Sequence, residues 1–154
     1  MLFRSIKDLT FEQAEKVMNV NFYGPFAMIK AFLPGLLTRP AAHILNVSSM
    51  GAYAPVPGQS VYGASKAALE SLTKSAAMEL KTIRTNALRL GLISRPGIQS
   101  SWPEGVNAWI KSTPIGRMGE INDVISAADF LLTSEWITGE ILTLDGGNSS
   151  NPGW

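Results

Sequence analysis

Residues 48–72, SSMGAYAPVPGQSVYGASKAALESL, join three kinds of structure within 25 positions. The middle, with Gly51, Pro55, Pro57 and Gly58, reads as a loop. From Val61 onward, VYGASKAALESLTKSAAMELK (61–81) is rich in strong helix formers and reads as a long helix. Just before, AAHILNVSS (41–49) is a short apolar run around Ile44, Leu45 and Val47, the pattern of a buried strand. Working outward, IRTNALRLGLI (83–93) reads as a second strand, followed by an irregular Pro/Gly/Ser segment to about Pro114. INDVISAADFLLTSE (121–135) reads as an amphipathic helix, and TGEILTLDGG (138–147) as a last strand between glycines. Towards the start, Thr10 followed by Gln13 fits a capping box. Phe11, Ala14, Val17 and Met18 share one helical face. That helix is expected to continue to about residue 37, bent near Gly24-Pro25 and stopped by Pro34-Gly35 or Pro40. Helix and strand alternating three times predicts an α/β fold, a parallel sheet with helices on its faces.

Composition narrows the functions. The 154 residues suit one domain, with 45% apolar and 16% charged residues and a net charge of +1. No basic block marks a nucleic-acid surface. The absence of Cys excludes disulfides, thiolate chemistry and Cys-zinc sites. The single His43 cannot furnish a multi-histidine metal site and reads as structural or solvated. No stretch is apolar for long enough to span a membrane: FYGPFAMIKAFLPGLL (22–37) is cut by Lys30 and two prolines. No signal peptide is visible at the start, which predicts a cytoplasmic location. MLFRS (1–5) is also what a common sequencing adapter would encode, so residues 1–7 read either as an ordinary start or as a foreign, frayed one.

The chemistry lies in the stretch first quoted. Tyr62 and Lys66 are four apart, so on one helix they lie on the same face about 6 Å from each other. A cation near a phenol favours the phenolate and makes the pair a proton donor and acceptor. Ser49 closes the preceding strand, and active sites of open parallel sheets lie at the carboxyl ends of strands. Ser49 can orient a substrate oxygen while Tyr62 exchanges a proton with it. Alone, this Tyr/Lys spacing is a weak signal; with 3 Tyr and 7 Lys, chance gives about 0.14 such pairs.

The accompanying motifs are specific. NVNFYG (19–24), ILNVSSMG (44–51), YGASKAAL (62–69), PIGRMGEINDV (114–124) and ITGEILTLDGG (137–147) occur in this order. With them the chain resembles the short-chain dehydrogenase/reductase family from about Leu9 to Asn148. The resemblance implies a Rossmann-like three-layer fold, of which this chain holds the last three strands, as one domain over residues 1–154. It implies NAD- or NADP-dependent hydride transfer between a carbonyl and a secondary alcohol. Asn21, Ser49, Tyr62 and Lys66 take the catalytic positions: Tyr62 protonates the carbonyl oxygen, Ser49 holds it, and Lys66 tunes Tyr62. Asn21 holds a water that supplies protons to Lys66, although an Asn in a bent helix also serves to satisfy loosened backbone groups. Tyr62, Lys66, Gly91 and Ile93 are the implied cofactor contacts. The implied partners are a small-molecule carbonyl or alcohol and, for a full-length parent, a second or further copies in a homodimer or homotetramer. Helices near residues 10–37 and 61–81, the latter carrying Ala64, Ala67, Ala68, Ala76 and Ala77, would form that interface. The alternative is an inactive fragment that acts as an interaction module.

Several features depart from the family pattern. No Gly-rich phosphate-binding turn occurs, so the chain reads as the carboxyl-terminal half of a domain. The strand near residues 42–48 would then expose an unpaired edge that invites association and poor solubility. LGLISR (90–95) has Leu90 where the family carries Pro and Arg95 where it carries Thr. Arg95 reads as a solvated loop residue or as a contact for an anion. The link ELKTIRTN (79–86) is short, which tightens the turn between helix and strand. Trp102 and Trp109 either wall a substrate pocket or pin an irregular loop, and Tyr53 either lines the pocket or packs the loop.

Overall fold

The computed structural model describes residues 4–150, so the first three residues of the MLFRS stretch lie outside the described residues. Thr10 starts α1 (Phe11–Met18) with the expected capping box: its hydroxyl accepts from the Gln13 N–H at 3.2 Å, and the Gln13 amide accepts from the Thr10 N–H. A π-helical segment, Asn19–Tyr23, leads into α2 (Gly24–Leu36). The distortion therefore begins one turn before the expected bend. Pro25 has no N–H to give the carbonyl four residues back, and the Gly24 N–H reaches Asn19, five back, so the helix widens there. Pro34 does not stop α2 either. It lies in the last turn, and Leu37 still donates to Leu33 at 3.0 Å.

β1 (His43–Ser49) follows, then a 3₁₀ turn (Met50–Ala52), α3 (Ser60–Glu79) and β2 (Arg84–Leu90). The short link between α3 and β2 closes with Ile83 donating to Leu80 at 2.7 Å. The segment expected to be irregular instead holds two helices, α4 (Ile98–Ser101) and α5 (Pro103–Ser112). α6 (Ile121–Thr133) and β3 (Ile141–Leu144) complete the chain.

The three strands are parallel in the order β1-β2-β3. His43 pairs with Arg84, and Ala87 with Ile141. α3 covers one face of the sheet and α6 the other, the three-layer arrangement expected. Leu88, Ala127 and Leu131 centre the α6-side core, with Leu45, Leu90, Leu142 and Leu144 around them.

β1 corrects the expected burial. Its buried side chains are Asn46 and Ser48, whereas Val47 is 50% exposed. Asn46 and Ser48 face α3 and hydrogen-bond to it, while β1 lies at the sheet edge with no strand beyond it among the described residues. His43 is structural: Asn86 donates to its Nε2 at 3.1 Å, the Asn86 amide being oriented by its bonds to Ile137 and Glu140. Among the described residues no helix is long and apolar enough to cross a membrane.

Candidate active site

The end of β1 and the start of α3 meet through glycines. Ser49 caps the 3₁₀ turn, its Oγ accepting from the Gly51 N–H at 3.2 Å. The oxygen is thus used as an acceptor and its own O–H is left to donate. Gly51 lies against the Tyr62 ring: a Cβ built there would sit 3.4 Å from Tyr62 Cε1. Gly63 makes the reciprocal approach, since a Cβ on it would stand 2.5 Å from the Gly51 carbonyl oxygen, closer than any real Cβ contact. Two glycines therefore let the turn after Ser49 seat on α3 beside Tyr62.

Lys66 lies one helical turn on from Tyr62, its Nζ 6.0 Å from the Tyr62 ring centre. The amine donates to the Val47 carbonyl at 2.8 Å. In a parallel ladder alternate residues of a strand point to the same neighbour. Arg84 N–H bonds to Ala42 O, so even-numbered carbonyls of β1 face β2, and Val47 faces the unpaired edge. Burial holds the Lys66 amine below its ordinary pKa, because desolvation penalises the charged form.

Asn21 lies in the widened helical segment. Its Nδ2 donates to Ser65 Oγ at 3.2 Å, and Ser65, fully buried, donates to the Tyr62 carbonyl at 2.7 Å. The side chain thus ties this segment to the turn of α3 between Tyr62 and Lys66, rather than satisfying loosened backbone. A groove of about 390 Å³ has Asn21 and Tyr62 in its wall, with Leu9, Val17, Val20 and Val61 as its aliphatic lining.

Gly91 and Ile93 follow β2. The Gly91 N–H is used by the Leu144 carbonyl at 2.9 Å. Ile93 bridges Gly119 through the Leu92 carbonyl and the Ser94 N–H, so its own N–H and C=O turn to the other side. Trp109 lies over Gly91, where a Cβ would come within 2.6 Å of its ring, so this tryptophan pins the segment after β2 by packing. Trp102 packs on Gly105 in the same manner. Arg95 is exposed.

A buried polar network was not anticipated from the sequence. Glu70, four residues after Lys66, accepts from Ser48 Oγ at 2.7 Å and from Arg89 at 2.9 Å (Nε) and 2.6 Å (Nη2). Burial alone would raise the Glu70 pKa, but the bonds from Arg89 and Ser48 prevail and hold it below the usual carboxylate value. The signal is an acidic residue on the buried face of α3 and an arginine, Arg89, set between the leucines Leu88 and Leu90 of β2.

Comparison with known proteins gives one answer. Residues 2–149 match the family model described as Enoyl-(Acyl carrier protein) reductase. Human dehydrogenase/reductase SDR family member 4 is 36% identical over 154 residues, covering 96% of this chain and 55% of that protein. The 3-oxoacyl-[acyl-carrier-protein] reductase of Thermotoga maritima is 33% identical over 140 residues, covering 88% of this chain and 57% of its own length. The chain thus spans about half the length of the curated relatives it matches. A gluconate 5-dehydrogenase from Burkholderia cenocepacia, solved with NADP and tartrate, superposes with a TM-score of 0.89 at 25% identity, over 97% of this chain and 61% of that one. A Haemophilus influenza protein solved with bound NAD gives 0.91 at 29% identity, over 98% and 58%. With its motifs in order on three parallel strands of a Rossmann-type sheet, the chain belongs to the short-chain dehydrogenase/reductase family.

Proposed function

We propose that this chain carries the catalytic centre of an NAD- or NADP-dependent oxidoreductase that interconverts a carbonyl compound and a secondary alcohol. The observation that carries the reading is the seating of the Ser49 turn against Tyr62, through Gly51, with the Lys66 amine one helical turn behind. Tyr62 gives its proton to the carbonyl oxygen in reduction and takes it back in oxidation. Ser49 donates to the same oxygen. Lys66 stabilises the negative charge left on the Tyr62 oxygen. Asn21, in its widened helical turn, holds a water that returns protons towards Lys66.

The residues present fit one end of the cofactor. Lys66 and Tyr62 suit the ribose hydroxyls next to the nicotinamide. The main chain at Ile93, turned away from the Gly119 bridge, suits the nicotinamide itself, whereas the Gly91 N–H is engaged by Leu144. No Gly-rich turn for the pyrophosphate occurs in the 154 residues, so the fit is to the nicotinamide–ribose part alone. When bound, that group supplies or accepts the hydride at the substrate carbon.

A non-catalytic interaction module is favoured by a different observation. Met28 and Phe32 on α2 are 58% and 60% exposed, and Ala64 and Ala67 lie exposed on α3. Titration of the purified chain with NADH and NADPH, read by cofactor fluorescence, separates the two. Saturable enhancement that is lost in Lys66→Met supports the oxidoreductase. Self-association with no response to either cofactor overturns it in favour of the module.

A further inference from the structure

Between the sheet and α3 lies a charged pair to which the roles above give no part. Glu70 is 9% exposed, and both its oxygens are used, by Ser48 and by the Nε and Nη2 of Arg89. The third guanidinium nitrogen, Nη1, reaches Thr143 Oγ1 at 3.3 Å, and the guanidinium carbon lies 5.1 Å from the Tyr53 ring centre. One pair thus ties together α3, one turn past Lys66; β1, at the residue before Ser49; β2, two residues before Gly91; β3; and the loop after Ser49, at Tyr53.

Apolar packing would hold the middle of α3 to the sheet without it, as it holds the middle of α6 on the other face, where Arg84 bonds the end of the helix alone. Burying two charges costs desolvation that their attraction offsets only when the geometry is good and the remaining polar groups are satisfied. What a bidentate arginine–carboxylate pair adds is direction, because its two parallel bonds fix angle as well as distance. The direction here is imposed where Ser49 must meet Tyr62.

We propose that Glu70 and Arg89 form a positioning pair, which sets the end of β1 and the Met50–Ala52 turn so that Ser49 faces Tyr62, and which holds the Tyr53 ring as a wall beside Ser49. Its purpose rests on the oxidoreductase reading; its test does not. Tyr53 is 59% exposed, and the guanidinium against its ring is the contact that orders it.

The test uses the whole chain, labelled for NMR at backbone amides and tyrosine rings. The double variant Glu70→Leu/Arg89→Met exchanges the pair for apolar groups, a change that leaves a fold about as stable. It is expected to melt close to the wild type while the Gly51 amide and Tyr53 ring signals move and broaden. Arg89→Lys keeps the charge without the fork, and the same signals are expected to move. A folded double variant, or a folded Arg89→Lys should the double variant not fold, with both signals at their wild-type positions would overturn the proposal. Cofactor titration of the wild type tests the underlying reading separately. Moved signals in a chain that binds no cofactor sustain the positioning role and remove its catalytic purpose. Should the wild type turn over a carbonyl, kcat in Arg89→Lys falls about 10- to 100-fold with the cofactor KM unchanged; an unchanged kcat would overturn the proposal.

Discussion

On the α6 side of the sheet, Leu45, Leu88, Leu90 and Leu142 meet Val124, Ala127 and Leu131. On the α3 side, the same strands present Asn46 to Thr73 at 2.9 Å, and Ser48 and Arg89 to Glu70. The first interface is aliphatic at its centre, with directed bonds only at its rim, where Arg84 donates to the carbonyls of Leu131, Leu132 and Ser134 at the end of α6; the second is hydrogen-bonded through its middle. Tyr62 and Lys66 are carried by the helix on the second side. Apolar contact fixes that two layers touch, whereas oriented polar bonds fix how they are turned. The site-bearing face is built the second way.

Substitutions should divide along this line. The largest effect is expected from Arg89→Met alone, which leaves the Glu70 carboxylate buried without its partner. Loss of about 3–5 kcal/mol should be seen in urea unfolding. A loss below about 1 kcal/mol would show the α3 face to be no more specific than its opposite. Next comes Leu131→Ala in the centre of the α6-side core, where a cavity costs about 3 kcal/mol. The contrast is sharpened by conservative exchanges. Leu131→Met should cost less than about 1.5 kcal/mol, because aliphatic packing adapts to shape.

A smaller effect is expected where the two elements of the site touch. In Gly63→Ala the new methyl would meet the Gly51 carbonyl oxygen, which is backbone and cannot swing aside. About 1–3 kcal/mol should be lost on thermal unfolding, and any nicotinamide cofactor response should weaken with it. Gly35→Ala is the control. That residue is also helical but has nothing within 4 Å of its Cβ position, and it should gain up to about 1 kcal/mol. Equal losses at both positions would mean that the Gly63–Gly51 approach is not the cause.

Much of this molecule was legible because it is local. The capping box at Thr10 and Gln13 needs only three residues of separation, and the alternation of helix and strand follows from periodicity and Gly/Pro punctuation. The Tyr62/Lys66 spacing survives folding because both residues sit on one helix. What was not legible depends on distant partners. β1 reads as an apolar strand through Ile44, Leu45 and Val47, but which face is buried is decided by Thr73 and Glu70, 27 and 22 positions along the chain from Asn46 and Ser48. Arg89 makes sense inside β2 only once Glu70, 19 residues earlier, faces it. Trp109 packs on Gly91, a neighbour that no spacing rule connects to it, and also lines a pocket with Leu92 and Ile115.

The smallest effect tests whether the aliphatic face contains a polar weak point. His43, at the start of β1, lies on the α6 side, where burial first and the Arg84 guanidinium second hold its pKa below the ordinary value near 6.5. Asn86 donates to Nε2, so that nitrogen must remain an acceptor and the ring neutral. In the unfolded chain the ring takes a proton near pH 6.5, while the folded ring takes it only at lower pH. The unfolded state therefore binds more protons as pH falls, and stability present above pH 6.5 is lost below it. No other histidine exists to confuse the window, and the carboxylates of Glu70 and Asp145 are held below their usual values and titrate lower still. Thermal melts from pH 7.5 to 5.5 should show a falling midpoint. In His43→Gln, whose amide oxygen can accept the same bond, the midpoint should stay flat over that range. A slope that survives the substitution would move the weak point away from β1.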